Sequence, residues 1–513
     1  MVKIFINDFP VEVEAGSTVL DAANKAGIKI PHLCYHAAFP PEGSCRMCLV
    51  EIEGAPKLEL ACSTPVREGM KVYTQTAAVC EARKGVLEFL LAEHPPDCPV
   101  CEQAGECKLQ DYYEEYGLFD SHFSEHKIHK EKKVPLGKNL LLDRERCILC
   151  TRCVRFLKNV TGSGELGVFQ RGLKAEISLF PGVNVNNNYS GNLAEICPVG
   201  AITDLDFRFQ SRSWFMESKP SICPLCSRGC SISIDYHPGF ARFEVSRRVY
   251  RIKARENPKV NGHWICDKGR YEYNYIDQDR LTEVLADGQS ISVPEALTRL
   301  EEMIKQLVHK NKTKRISVLL NSFLSNEELY LIRRIFRDQL NAGHIRLIDP
   351  ADEQGDDLLL TSERSPNRRG AEEIGFENTP SEDIDFSDTD LLIVFESFFP
   401  VPKLEQILNR IPDNVTQRVL FTPRQSSAAE KMSLVFPTAV IAEKMGSLTN
   451  SDGCVQPFLP ALEPLNEAEP EWRWLMLLGK SLGTDFPFYS RIQSPINIYT
   501  DIKKDISFFQ DAT

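Results

Sequence analysis

Fifteen cysteines and one histidine sort by spacing into four sets of four soft ligands. The first is Cys34, Cys45, Cys48 and Cys62 (C-x10-C-x2-C-x13-C), and the second is His94, Cys98, Cys101 and Cys107 (H-x3-C-x2-C-x5-C). The third joins Cys147, Cys150 and Cys153 (C-x2-C-x2-C) to a remote Cys197 that precedes Pro198. The fourth joins Cys223, Cys226 and Cys230 (C-x2-C-x3-C) to Cys266. Sixteen of the seventeen cysteines lie before residue 267. Thiolates at this density serve zinc or iron–sulfur clusters, and with iron the chemistry is one-electron transfer.

In the first set, a C-x2-C bite with one long loop suits a two-iron cluster, where two cysteines grip each iron. Ten residues stand where the plant-type C-x4-C-x2-C pattern has four, and zinc uses the same bite. The second set fits a His-ligated four-iron cluster, or zinc in a Cys3His shell. On a cluster, His94 would replace a negative thiolate by a neutral donor and ease reduction. The third set has the tight spacing of bacterial four-iron ferredoxins, with the C-P dipeptide displaced to Cys197-Pro198. Cys197 has no triplet of its own, so it is expected to complete the cluster of Cys147, Cys150 and Cys153. The fourth set fits either a zinc knuckle or another four-iron cluster. Cys80 and Cys454 have no ligand-spaced neighbours and are expected to be buried small apolar groups. His32 and His36 flank Cys34 and are expected to pack or hydrogen-bond rather than ligate. The basic run 242–255, with Arg247, Arg248, Arg251 and Lys253, reads as a solvated strand face or as a dock for an acidic partner.

The elements that must hold these sets are small. With 513 residues the chain exceeds a single core and divides into several domains. Residues 1–80 read as a β-rich module: strands Val2–Ile6 and 11–13 around Asn7-Asp8, then a helix at 18–26 capped near Ser17. Residues 81–137 read as helical, with A-R-K-G-V-L-E-F-L-L-A-E-H ending at His94. Residues 138–215 carry the third set and 216–275 the fourth. From 276 to 513 the pattern turns α/β: a helix at 294–309, the strand I-S-V-L-L, a helix at 325–339, and further strands at H-I-R-L-I-D and 390–396. The acidic stretch 349–388 reads as a long loop. The expected class is thus multidomain, α+β and then doubly wound α/β.

The formal net charge of −12 argues against nucleic acid and against a basic membrane-binding face. No apolar run has the length of a transmembrane helix, and the first residues do not read as a signal peptide. These features lead to an expectation of a cytosol-facing chain, where such cysteines are metal ligands rather than disulfides.

The second set lies in H-P-P-D-C-P-V-C-E-Q-A-G-E-C-K-L-Q-D (94–111), and the third in C-I-L-C-T-R-C-V-R-F (147–156) and A-E-I-C-P-V-G-A-I (194–202). W-I-C-D-K-G-R (264–270) carries the last ligand of the fourth. In this order they resemble the large iron–sulfur subunits of bacterial respiratory complex I over about residues 1–275. P-H-L-C-Y and G-S-C-R-M-C resemble a β-grasp two-iron ferredoxin domain. S-P-N-R-R-G-A-E-E-I-G (365–375) and K-M-G-S-L-T-N-S-D-G-C-V-Q (444–456) resemble a molybdopterin-oxidoreductase-like domain. Two departures stand out: the interval from Cys230 to Cys266 is long for the family, and the α/β region is short, as in a trimmed scaffold.

The resemblance implies one 2Fe-2S cluster on the first set, a His-ligated 4Fe-4S cluster on the second, and all-cysteine 4Fe-4S clusters on the third and fourth. It implies an electron-carrying subunit of an NADH:quinone oxidoreductase, on the cytoplasmic face of the inner membrane within a membrane complex. The partners would be a flavin-bearing NADH-oxidising subunit, its thioredoxin-like 2Fe-2S companion, and quinone-module subunits. The fourth cluster would lie off the main electron path. No dinucleotide G-x-G-x-x-G fingerprint and no flavin motif occurs, so neither hydride transfer nor a quinone site is expected here, and no residue is expected to be catalytic. From residue 267 only Cys454, His309 and His344 remain as soft ligands. Cys454 is misplaced for molybdenum, so the α/β domain is expected to lack molybdopterin. The competing readings are an iron–sulfur subunit of an NAD-linked formate dehydrogenase or hydrogenase, and a zinc-stabilised scaffold.

Overall fold

Strands β1 (Val2–Ile6) and β2 (Phe9–Val13) form an antiparallel hairpin whose alternation buries Ile4, Ile6, Val11 and Val13 on one face. Asn7 and Asp8 make its two-residue turn with φ of 49° and 67°, the left-handed geometry that such hairpins require. Helix α1 (Val19–Lys25) packs Val19, Leu20, Ala22 and Ala23 on that face and starts at a Thr18–Asp21 capping box, one residue beyond the expected Ser17. With β3 (Leu49–Ile52), β4 (Glu59–Leu60) and β5 (Lys71–Tyr73) the sheet runs β2-β1-β5-β3-β4, with β1 and β5 parallel.

The computed structural model describes residues 1–117, 121–239, 247–397, 404–412, 415–482 and 492–510. It has two units, Met1–Met216 and Glu217–Thr513. In the first, α2 (Ala77–Glu93) begins four residues before the expected boundary at 81 because Thr76 caps it. Buried Arg83 donates to the Leu49 carbonyl and the Tyr116 hydroxyl, both at 3.0 Å, and so ties α2 to β3 and to α3 (Lys108–Tyr116). The expected helical texture of 81–137 ends at α3: the described residues from 121 to 133 hold neither helix nor strand. A three-stranded sheet (Val134–Pro135, Leu140–Leu142, Ile202–Asp204), helix α4 (Arg152–Asn159) and a hairpin (Leu166–Phe169 with Glu176–Leu179) complete the unit.

The second unit opens with an antiparallel sheet of Glu217–Ile222, Ser231–Tyr236 and Val249–Ala254. A seven-stranded sheet follows, with parallel strands in the order Leu434–Pro437, Gln417–Thr422, Leu391–Phe395, Ile316–Leu320, His344–Leu347. Its strands Ile316–Leu320, Leu391–Phe395 and Leu434–Pro437 are buried along their whole length because helices cover both faces, as parallel sheets require. Two expectations need correction. The stretch 349–388 is not all loop: Arg368–Ile374 is a helix whose Gly370, Ala371 and Ile374 are buried and whose end is set by Gly375 at φ 104°. The helix expected at 325–339 is α-helical only over Asn326–Ile332 and then widens into a π-turn segment, Arg333–Gln339.

Candidate metal centres

In the first set all four cysteines are buried. Their thiols meet in two hydrogen-bonded pairs, Cys34 with Cys45 and Cys48 with Cys62. Arg46 at φ 59° turns the loop so that amides face sulfur: Leu33 N lies 3.4 Å from Cys45 Sγ, and the Ser44 and Cys45 amides serve Cys34. The Cys45 thiol hydrogen bond holds Cys34 down to about 5, and its partner Cys45 is raised. Cys62 is likewise lowered by Cys48, which is raised. Two sulfur pairs fed by amides suit two irons, each gripped by one pair. His32 Nδ1 bonds the Ile30 carbonyl (2.9 Å), and His36 accepts from the Ala38 amide (3.2 Å), so both do the expected local work.

His94 caps the C-terminal end of α2 and is half-buried; desolvation pushes it down to about 4, which favours the neutral imidazole that a metal needs. Its Nδ1 has no hydrogen-bond partner among the described residues. Cys101 and Cys107 are buried, Cys98 is exposed, and the three feel one another's charge. Arg146 lies within electrostatic reach of both His94 and Cys101 and grips Asp97 with two bonds, 3.2 and 2.7 Å.

Cys147, Cys150, Cys153 and Cys197 line one cavity, with Leu142, Ile177 and Arg152 among its other walls. Leu149 and Thr151 stand at φ 52° and 57°, an alternation that aims backbone amides inward, with Leu149 N 3.4 Å from Cys147 Sγ. Burial pushes the Cys147 and Cys150 thiols up to about 12 and about 11. Such a cost is relieved when metal takes the place of the proton. The stretch after Cys197 reaches the second set. Cys107 Sγ lies 3.9 Å from the Pro198 carbonyl, and a Cβ on Gly200 would stand 2.3 Å from Cys101 Sγ. Only glycine leaves room for that sulfur.

In the fourth set all four cysteines are buried and feel one another's charge. Cys266 caps the turn Asp267–Tyr271, and its Sγ accepts from Gly269 N at 3.4 Å. A Cβ on Gly269 would lie 2.9 Å from Cys223 Sγ. The loop 226–230 is held by the 450–456 segment: Gln456 Nε2 donates to Gly229 O (2.8 Å) and Asn450 Nδ2 to Arg228 O (3.2 Å). Apart from the exposed Cys98, the sulfurs suit soft metal groups: amides face them in the first, third and fourth sets, glycines clear them in the second and fourth, and the His94 Nδ1 is idle in the second.

Several expectations are corrected. Cys80 and Cys454 are half-buried, not buried. Over its described residues the basic run is not a bare solvated face. Arg248 pairs with Asp277 and Glu443, and Arg251 and Lys253 pair with Asp235; Arg242 lies outside the described residues. The structure also adds residues that ligand spacing passed over: Arg146, Arg152, Arg155, Gly200 and Gly269. The signal available was position alone, since each lies within four residues of a candidate ligand.

Four family models match: "2Fe-2S iron-sulfur cluster binding domain" at 1–77, "NADH-ubiquinone oxidoreductase-G iron-sulfur binding region" at 83–122, "NADH-quinone oxidoreductase subunit 3, ferredoxin-like domain" at 137–203, and "Molybdopterin oxidoreductase Fe4S4 domain" at 216–278. The chain therefore carries iron–sulfur domains of both the 2Fe-2S and the 4Fe-4S kind. It is 39% identical over 353 residues to an NADH-quinone oxidoreductase subunit of Streptomyces coelicolor, covering 67% of this chain and 40% of that one. It is 36% identical over 405 residues to the NADH-ubiquinone oxidoreductase 75 kDa subunit of Reclinomonas americana, covering 77% and 56%. It is 38% identical over 344 residues to NADH-quinone oxidoreductase subunit 3 of Thermus thermophilus, covering 60% and 43%. A chain of an NAD+-reducing [NiFe]-hydrogenase superposes with a TM-score of 0.38 at 32% identity, over 41% of this chain and 90% of that one. The chain thus spans about half the length of the curated relatives it matches or less. It belongs to the family of large iron–sulfur subunits of NADH-quinone oxidoreductase.

Proposed function

We propose that this chain is an electron-transfer subunit of an NADH:quinone oxidoreductase. It would hold one 2Fe-2S cluster on Cys34, Cys45, Cys48 and Cys62. Three 4Fe-4S clusters would sit on His94, Cys98, Cys101 and Cys107, on Cys147, Cys150, Cys153 and Cys197, and on Cys223, Cys226, Cys230 and Cys266. The carrying observation is the cavity ringed by the four thiols of the third set, which joins a remote Cys197 to the C-x2-C-x2-C loop. Bound clusters would supply reversible one-electron exchange. The chain's own part is to hold them close, keep water out and tune them through amides and charge.

The order in space that the contacts support is first, third, second. Arg152 and Arg155 join the first set's loop to the third, and Pro198 and Gly200 join the third to the second. Electrons would enter at the first set from a flavin-bearing, NADH-oxidising subunit with its 2Fe-2S companion and leave beyond the second toward a quinone module. The fourth set would lie off this path and support the fold. No helix among the described residues is long and apolar enough to cross a membrane, which suits a peripheral place on the cytoplasmic side of a membrane complex.

For residues 1–80 we infer a β-grasp ferredoxin fold, supported by the mixed five-stranded sheet with α1 across it. For 276–513 we infer a reduced molybdopterin-oxidoreductase-like domain without cofactor. At the strand ends, where doubly wound sheets take ligands, Ser322 is bound to Asp349 through both its amide (2.8 Å) and its hydroxyl (2.6 Å), and Asn321 to the Glu396 carbonyl (2.6 Å).

His94→Cys tests the second set. Thiolate adds negative charge at the iron, so the chain should keep its iron while the midpoint of one 4Fe-4S signal falls in redox-poised EPR. An unchanged or raised midpoint removes His94 from the ligands.

A further inference from the structure

Arg152 and Arg155 lie on one face of α4, directly after Thr151, and are only 5% and 8% exposed. Arg152 Nη1 donates to the Ile196 carbonyl (3.1 Å), and its Nη2 to the Tyr35 carbonyl. Arg155 donates to the carbonyls of Cys34 and Cys150 (3.2 Å to the latter) and Pro40 (3.0 Å), and its Nε to the Thr151 hydroxyl (3.2 Å). Each guanidinium therefore spans the first and third sets. Neither has a carboxylate partner among the described residues.

Burying a cation without a counter-charge is costly, and most buried arginines meet a carboxylate. Here the groups within reach of Arg152 that become anionic on binding metal are the thiols of Cys150, Cys197 and Cys34, from both sets. Arg152 also lines the third set's cavity, and its buried Nε has no hydrogen-bond partner. Nearby charge adds to the same sign: Lys108 is within electrostatic reach of Arg152. An all-thiolate cluster is anionic and becomes more so on reduction. It would supply the negative charge this pocket lacks.

We propose that Arg152 and Arg155 are the shared counter-charge of the first and third clusters, positioning residues that raise both reduction potentials and let two anionic centres sit side by side. This rests on the ligand assignment above but concerns residues outside it. A lone surface arginine would tune one centre weakly, since solvent screens it. A buried pair bonded to both ligand loops acts on both.

The test is redox-poised EPR on the full chain, with iron content measured in parallel. Arg152→Gln should keep its iron and lower the midpoints of the 2Fe-2S signal and of one 4Fe-4S signal together. The expected size is about tenfold or more in the one-electron equilibrium, about 59 mV. Arg152→Lys, which keeps the charge, should recover most of both shifts. Where Arg152→Gln fails to hold iron, the pair Arg155→Gln and Arg155→Lys gives the same readout. Full iron with both midpoints unmoved, or a shift that lysine fails to recover, overturns the proposal. A wild-type chain without 2Fe-2S and 4Fe-4S signals would instead overturn the ligand assignment.

Discussion

A Gly200→Val chain is expected to lose the second cluster while every ligand of that cluster is intact. The Cβ alone would stand 2.3 Å from Cys101 Sγ and 3.3 Å from Gln103 Cβ, and valine adds two methyls to that collision. A free thiol could swing away, but a sulfur bonded to iron cannot, so the strain falls on the metal-bound state. Iron should fall by about four atoms per chain, and one 4Fe-4S EPR signal should vanish. The 2Fe-2S signal should stay, because its loop lies on the far side of Arg152 and Arg155. Gly200→Ala should show the same loss in weaker form. A valine variant with full iron would mean that the approach of 198–200 to the second set is wrong.

Lys444→Met is expected to be the most damaging single change in the α/β unit. Lys444 Nζ is buried and bonds both oxygens of Glu328 at 2.9 Å and Glu471 at 2.6 Å. Burial and the neighbouring Glu328 charge push Glu471 up to about 8. For Glu328 burial works the other way, but Lys444 and the Glu471 hydrogen bond bring it below its usual range. Removing the ammonium leaves two buried carboxyls without a cation, at a cost of about 3–5 kcal/mol at neutral pH. Both would then hold protons in the folded chain above their unfolded pKa. The folded state would bind more protons than the unfolded one, so the variant's stability should fall as pH rises from about 5 to 8. Denaturant unfolding at the two ends of that range measures it. A deficit independent of pH would show that packing, not charge, is what Lys444 supplies.

The four candidate sets can be grouped from sequence because most of their members are neighbours, where spacing is geometry. Cys197 was reachable only through its missing triplet, and the cavity it shares with Cys147, Cys150 and Cys153 suits that reading. Spatial order was not legible. Chain order runs first, second, third, whereas contacts made by Arg152, Arg155, Pro198 and Gly200 link the third set to both others. Arginines at i and i+3 on a short helix look like any solvated face, and only the tertiary structure shows them buried. The basic run at 247–253 misled in the same way, since its partners Asp235, Asp277 and Glu443 are remote or isolated in sequence. The helix Arg368–Ile374 was hidden by its polar surroundings, because two apolar residues and one glycine carry too weak a period to stand out.

Metal and acid-labile sulfide analysis of the purified full chain shows whether the four sets hold clusters that carry electrons. The expected result is about fourteen iron atoms per chain with matching sulfide, no stoichiometric zinc, and no molybdenum or tungsten. Stoichiometric zinc with little iron, or bound molybdenum or tungsten, would contradict it.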